Sequence, residues 1–550
     1  MDSNEQLPPP SLGLFDFPPP FPDSCSFTEP ASPDLPLPDE LLLQVINNLV
    51  YEQATLFPLL VLNRRFYRIL QQRLLRNVKM DNNEIRRRFG GFIEENVKKA
   101  MDVRVLQCQD VDLETNPVDL TYFRLLGNLH TLQLTGKLHV LSLPQMSNSL
   151  RRLELWHRPT HQAPDFCLAS ILKIVPHLGN LQNLEELIAE SVAFHGLSPD
   201  DVPRPLNLRR LHMEYRCFTN PPLDLSGFFS TLASSIEAVE FKTVSPHVHH
   251  ICPDVTKLLT HFADHITSFK FGSWDTFPQI PYLPRLKKLA LVRNSQSDFN
   301  GTTDLIEFLN LIPNFCQLSE LEGLHVTHDF TIGSVPSEDP QLRLKSLSLD
   351  HVLLDYEACR VLFKPSSETL RDLSFSISSF GENLDQCYNF LNFFQNSVHK
   401  VAILTFRSPG VAKSFEAPSH HERKILELLA GFKKLKMLLY RTLRPDQFFG
   451  DGTSSTLPIF TNLQYLSLFA RSVHGRQIDF VSNLVNTFSL AVEGGFFPSL
   501  RGFACWGWEE KRFPAYREWF RNRNIKLTAV SRKRVRSQWD DWEKLVESQF

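Results

Sequence analysis

Six side chains close together in the sequence have the chemistry to hold a metal: His247, His249, His250, Cys252, His261 and His265. His261 and His265 are four apart, so one face of a helix would carry both, a spacing that suits zinc. The HVHHIC run, however, reads as a loop, and the set fits no zinc framework. The expectation is surface histidines around a helix on the outside of the fold, and no metal. Other chemistry is missing from the sequence as well. It has no GxxxxGK[ST] phosphate loop, no GxGxxG after a strand, no GxSxG elbow and no HExxH. Carboxylates are abundant, but no pair stands out as an acid and its base. No cofactor is implied, and the chain is not expected to be an enzyme.

The thiols point the same way. Cys25, Cys108, Cys167, Cys217, Cys252, Cys316, Cys359, Cys387 and Cys505 are scattered, odd in number and free of any CxxC pair. Isolated thiols of this kind belong to a reducing compartment, so a cytoplasmic or nuclear location is expected. The first residues, MDSNEQLPPPSLGLFDFPPPFP, lack a basic start and an unbroken apolar core, unlike a signal peptide. No stretch reaches about 18 uncharged apolar residues, so no membrane span is expected. With 58 basic and 61 acidic residues the net charge is -3, which gives no chain-wide reason to expect nucleic acid or membrane as a partner.

What positions these residues is a repeat. From Leu129 onward an L-x-x-L-x-L pattern recurs, as in NLHTLQL, SLRRLEL, NLRRLHM, RLKKLAL, RLKSLSL and NLQYLSL. Fourteen copies start at 129, 150, 184, 208, 236, 266, 286, 321, 344, 370, 398, 435, 463 and 500, about 28.5 residues apart with gaps of 20 to 37. A short strand with its fourth and sixth positions turned inward explains the pattern. Between the strands lie helical stretches. Asp254 to His265 carries Val255, Leu258, Leu259 and Phe262 on one face, and Thr303 to Phe315 carries Leu305, Phe308, Leu309 and Ile312. Strand then helix at this period predicts an α/β leucine-rich-repeat solenoid, with parallel strands lining a concave face and helices on a convex one.

The domain plan follows. Residues 1–34 form a proline-rich tail expected to be disordered; residues 1–36 hold ten prolines. Residues 35–80 are a leucine-rich helical module, and 81–128 a linker, cap and first irregular repeat. Residues 129–510 are the solenoid, and 511–550 a C-terminal cap and basic tail. In the module, Pro38 and Asp39 mark a helix start, followed by the stripe Leu41, Leu42, Val45, Ile46 and Leu49. A second helix carries Leu59, Leu60, Leu62, Phe66, Ile69 and Leu70, and a third short one is expected over 71–78.

The segments LPDELLLQVINNL and LLVLNRRFYRIL resemble an F-box: an LP dipeptide, an acidic residue, a Leu/Ile helix, then a helix ending in Leu62-Asn63-Arg64-Arg65-Phe66. The link Val50 to Thr55 is about two residues longer than the family pattern, and the tryptophan often found near the box's end is absent. An F-box ahead of irregular leucine-rich repeats is similar to the architecture of fungal-type F-box proteins. The resemblance implies the substrate-recognition subunit of an SCF-type cullin–RING ubiquitin ligase. Its box would bind the ligase adaptor, and through it cullin, while its repeats hold a protein substrate. Leu37, Pro38, Leu41, Leu42, Ile46, Leu49, Leu59, Leu62 and Phe66 would then be the adaptor-binding positions. Read from the residues alone, the same helices would also serve as an amphipathic cap on a repeat protein with no ubiquitin role.

The outward strand positions suggest where a substrate would sit. Early repeats put Arg152, Glu154, Trp156, Glu186, Glu190, Arg210, His212 and Glu214 there, a mixed-charge surface. Late repeats put Met437, Leu439, Tyr465, Phe469, Gly502, Ala504 and Trp506 there, a small, apolar or aromatic one. Aromatic anchors dominate many interfaces, so Tyr465, Phe469 and Trp506 are the expected substrate-binding residues. The aromatic-rich segment from Trp506 to Phe520 is expected to cap the last repeat. SRKRVR from Ser531 suits a nuclear-import signal or a solvated tail.

Overall fold

The computed structural model describes residues 75–112, 120–137, 148–157, 181–190, 207–215, 229, 232, 235–243, 251–273, 276–293, 306–327, 330–350, 352–380, 383–404, 421–442, 458–470, 487–506 and 514–530. The chain divides into two compact units at Asp254/Val255.

The first unit is a parallel sheet of seven strands in sequence order: β1 (Asn77–Met80), β2 (Val105–Asp112), β3 (Thr131–Lys137), β4 (Arg152–His157), β5 (Glu186–Glu190), β6 (Arg210–Tyr215) and β7 (Ala238–Thr243). The repeat frame sets its register. Leu132 pairs with Leu153, Leu153 with Leu187, and Leu187 with Leu211. Fourth and sixth positions are buried as expected, among them Leu132, Leu134, Leu153, Leu155, Leu211 and Met213. The leading leucines Leu129, Leu150, Leu184 and Leu208 are buried too, so each repeat contributes three apolar layers.

The polar residue ahead of each repeat also has a physical role. Ser149 Oγ donates to the Leu129 carbonyl at 2.9 Å, Ser235 Oγ to Leu208 at 3.1 Å, and Asn183 Nδ2 to Asn148 at 2.6 Å. These side chains satisfy turn carbonyls that the strand ladder cannot reach. Just before each strand, one carbonyl accepts two N–H groups from the next repeat. His130 O takes those of Arg151 and Arg152 at 2.8 and 2.9 Å, and Arg151 O those of Glu185 and Glu186 at 2.8 and 2.9 Å.

The expected short helix over 71–78 is corrected at its end: Asn77–Met80 is strand β1, alternately exposed and buried, paired with β2. Val78 and Met80 bury a period-two face, which a helix would not allow. Helix α1 (Asn83–Glu95) follows, then the single turn α2 (Val97–Ala100). Asn82 caps α1, accepting the Ile85 N–H at 2.9 Å. Its buried face holds Phe89, Gly90 and Ile93. A Cβ at Gly90 would come 3.1 Å from the Tyr122 ring, so glycine permits that ring's close approach.

The second unit's main sheet has ten parallel strands: β8 (Ser268–Ser273), β9 (Lys288–Arg293), β11 (Gly323–Thr327), β13 (Ser346–Asp350), β15 (Asp372–Ser376), β16 (Lys400–Leu404), β17 (Met437–Thr442), β18 (Tyr465–Ala470), β19 (Gly502–Trp506) and β20 (Lys526–Val530). Three short strands form a second parallel sheet: β10 (Ile306–Glu307), β12 (Phe330–Ile332) and β14 (Leu353–Leu354). All fourteen copies of the sequence pattern are strands of the two main sheets. Those sheets also include β1 and β2 before the first copy and β20 after the last.

Helices cover the face that receives the fourth and sixth positions. Helix α3 (Ile251–His261) and the turn after it bury Val255, Leu258, Leu259 and Phe262, the expected face. It starts at Ile251, so Ile251 and Cys252 are helical, not the loop expected of HVHHIC. The helix expected over 303–315 is broken. Ile306–Glu307 is strand β10, only Phe308–Leu311 is helical (α4), and Ile312 leaves the helix at φ -132°, ψ 73°. Pro313 explains the break, since it excludes its predecessor from helical geometry. Helices α5 (Tyr356–Leu362) and α6 (Leu384–Phe393) begin at the side-chain caps Asp355 and Asn383, and α7 (His421–Ala430) buries Ile425, Leu426 and Leu429.

The abundant phenylalanines fill this helix side. Phe375 of β15 meets Phe390 of α6 edge-on at 5.9 Å, and Phe390 meets Phe394 at 5.3 Å. At the C-terminal end, Phe503 stacks on Phe488 at 4.1 Å and on Phe520 of α8 (Pro514–Asn522) at 5.6 Å. Trp519 packs on Phe520 and carries the Arg523 guanidinium 4.2 Å above its ring. Asn524, at φ 57°, turns the chain back into β20, a left-handed position that asparagine tolerates.

Candidate functional site

The expected adaptor-binding positions Leu37, Pro38, Leu41, Leu42, Ile46, Leu49, Leu59, Leu62 and Phe66 lie outside the described residues, as do His247, His249 and His250. What the structure does show is the strand face opposite the helices. Because Leu466 and Leu468 are buried inward, Tyr465 and Ser467 occupy the other register. Phe469 pairs directly with Trp506, and Tyr465 with Met437 on one side and Gly502 on the other. The three expected substrate residues therefore stand at adjoining backbone register positions of two neighbouring strands, with Tyr465 half-buried.

Small residues make up much of the rest of that face. Along the fifth position, Ser348, Ser374, Ala402, Leu439, Ser467 and Ala504 follow one another across six strands, each no more than 6% exposed. The strands are close-packed here, and Leu439 is the one bulky side chain of the row. Ser348 and Ser374 are register partners whose hydroxyls are buried and make no hydrogen bond. Buried hydroxyls normally find a partner, and these two find none among the described residues.

The first unit's face is charged and self-paired. Arg152 bridges Glu154 at 2.6 Å and Glu186 at 2.9 Å, and Trp156 Nε1 donates to Glu154 at 3.2 Å. His212 meets Glu240 at 2.9 Å, and Lys242 meets Glu214 at 3.0 Å. All of these are cross-strand neighbours or stand two apart on one strand, as the parallel register requires.

Cys108 and Cys387 are buried thiols, and burial pushes each up to about 12; Cys359 is raised further, again by burial. These thiols are protonated and inert at neutral pH. Among the described residues, no three His, Cys, Asp or Glu side chains converge as a metal site. No helix among them is long and apolar enough to cross a membrane.

The fold is a leucine-rich-repeat solenoid, an architecture suited to protein–protein interaction. No protein-family model matches the chain, and no curated protein matches it. Among solved structures the chain is similar to one in the crystal structure of the mouse RP105/MD-1 complex, with 11% identity and a TM-score of 0.30 over 78% of this chain and 76% of that one.

Sequence reading missed two features. One is Ser366, whose buried hydroxyl accepts the Leu344 N–H and donates to the Leu342 carbonyl, both at 3.0 Å. A serine between helix and strand gives no sequence sign of bridging two repeats. The other is a run of basic residues at one ladder position, visible only once the repeats are aligned back to Arg76.

Proposed function

We propose that the chain is the substrate-recognition subunit of an SCF-type cullin–RING ubiquitin ligase, binding and presenting a protein substrate without catalysing a reaction itself. One observation carries the proposal: a segment resembling an F-box, ending at Leu62-Asn63-Arg64-Arg65-Phe66, stands immediately ahead of a parallel repeat sheet that begins at Asn77. The division of labour follows. Leu37, Pro38, Leu41, Leu42, Ile46, Leu49, Leu59, Leu62 and Phe66 engage the adaptor and form the box's own core. The late strands, which carry Tyr465, Phe469 and Trp506 beside a row of small residues, engage the substrate. A reducing compartment, cytoplasmic or nuclear, fits both the ligase and the isolated thiols.

The test of the substrate face is a Tyr465→Glu/Trp506→Glu variant, compared with the parent chain in cells with the proteasome inhibited. The proposal expects ubiquitinated proteins co-purifying with the parent to be depleted at least tenfold in the variant, with adaptor capture unchanged. A folded variant that recovers the same proteins in the same amounts would contradict the assignment of this face.

A further inference from the structure

The first four members of the ladder that precedes the strands are Arg76, Arg104, His130 and Arg151. Each is joined to the next through the backbone: Arg104 N donates to Arg76 O at 3.0 Å, His130 N to Arg104 O at 2.8 Å and Arg151 N to His130 O at 2.8 Å. Their side chains thus leave one edge of the sheet at neighbouring strand spacings of about 4.8 Å. Arg76, Asn77, Arg104, Val105, His130 and Thr131 line a cavity of about 590 Å³ there. No carboxylate is among the described residues that line it. The first acid on the ladder is Glu185, which meets Arg151 at 3.4 Å.

Like charges gathered this way repel one another, and the cavity shows the consequence. Arg104 Nη1 lies 3.4 Å from His130 Nε2, and the same nitrogen lies 3.4 Å from the Asn128 carbonyl. Partial burial first, then Arg104, Arg151 and Arg76, hold His130 below the usual histidine range. In the free protein the ring is neutral near pH 7, and a bound anion would reverse the balance. The cavity opens to solvent, which leaves room for the group that carries the anion. A compact dianion gains most from several cations around one point, more than an extended strand of single charges does.

We infer that this cavity is a binding site for a phosphate monoester, gripped by Arg76, Arg104 and His130, with Arg151 next along the ladder. The ester comes either as a free small molecule or as a phosphoserine side chain of a bound polypeptide. Binding draws a proton onto His130, so affinity rises as pH falls through the bound-state pKa of that ring.

The experiment is calorimetry on the full chain at fixed ionic strength, with inorganic phosphate, sulfate, free O-phosphoserine, and one peptide in phosphoserine and serine forms. Phosphate and phosphoserine bind, and the serine peptide does not. Equal affinity for O-phosphoserine and the phosphopeptide assigns the site to free monoesters, whereas a tenfold preference for the phosphopeptide assigns it to modified polypeptides. Arg104→Gln weakens every anion at least about tenfold, the scale of one lost charge-assisted hydrogen bond. Arg209→Gln, at the same ladder position but outside the cavity, leaves binding unchanged. Sulfate keeps its charge across neutral pH, so its affinity isolates the protein's own titration. It tightens from about pH 8 to about pH 6 in the parent and loses that slope in His130→Gln. Absence of phosphate binding by the folded chain at tens of millimolar would overturn the inference. So would an Arg104→Gln protein, folded by circular dichroism, that binds like the parent.

Discussion

Replacing Ser366 with alanine removes one atom from a fully buried side chain. That oxygen is the only link between the Leu344 N–H and the Leu342 carbonyl that it joins at 3.0 Å each. Alanine leaves both backbone groups buried without that partner. An unsatisfied buried group costs about 1–3 kcal/mol, so the pair amounts to about 2–6 kcal/mol. The loss falls on the segment entering β13, because Thr369 Oγ1 still holds the Leu344 carbonyl at 2.9 Å. Urea unfolding of Ser366→Ala should show a lower midpoint with an unchanged slope. Hydrogen exchange should show faster opening at Leu344 than at strands several repeats away. Ser367→Ala is the control: its exposed hydroxyl bonds only the Lys364 carbonyl, so its effect should stay within about 0.5 kcal/mol. A Ser366→Ala protein as stable as that control would refute the bridging role.

Three further predictions rest on other parts of the structure. Phe520→Ala removes a ring stacked on Phe503 and Phe488 and should cost about 3–5 kcal/mol locally, seen as early exchange at β20 in hydrogen-exchange mass spectrometry. His130 and His399 are both held below 6.5, each first by burial and then by neighbouring cations. The unfolded chain therefore binds more protons between 6.5 and their lower folded values, and stability falls as pH drops through that window. Denaturation midpoints for the His130→Gln/His399→Gln variant should lose this slope, whereas the lowered carboxylates Glu84 and Glu322 act only below their ordinary value of 4.5. Alkylation of the native protein at mildly alkaline pH should modify half-buried Cys252 ahead of Cys108, Cys359 and Cys387, which are spared until urea is added, as peptide mapping will show.

The repeat was legible in sequence because its signal is local. Leu-x-x-Leu-x-Leu fixes a strand's inward face within seven residues, and fourteen repetitions fix the register between strands. The frame also placed Arg152, Glu154, Glu186, His212 and Glu214 on one face, and the parallel register then joined them in cross-strand pairs. The connecting segments were harder to read. The stripe through Phe308 and Ile312 looks helical, but Pro313 breaks it and Ile306 finds a strand partner in Phe330. Asn77–Met80 has too few residues for a period to declare itself, and tertiary pairing with β2 decides its conformation. The cavity at Arg76, Arg104 and His130 was hidden because β1 and β2 precede the first recognisable repeat. Without those strands the basic residues do not line up.

The central claim is adaptor binding, and one measurement bears on it most directly. The full chain is the right sample, because β1 belongs to the sheet and a fragment ending just after the box would cut it from β2. The measurement is capture of purified ligase adaptor by the full chain and by its Leu37→Ala/Pro38→Ala variant. The ligase account predicts a stoichiometric complex with the parent chain and its loss in the variant, with the repeats still folded. A folded parent chain that captures no adaptor would contradict it, leaving a leucine-rich-repeat interaction protein whose N-terminal helices cap the solenoid.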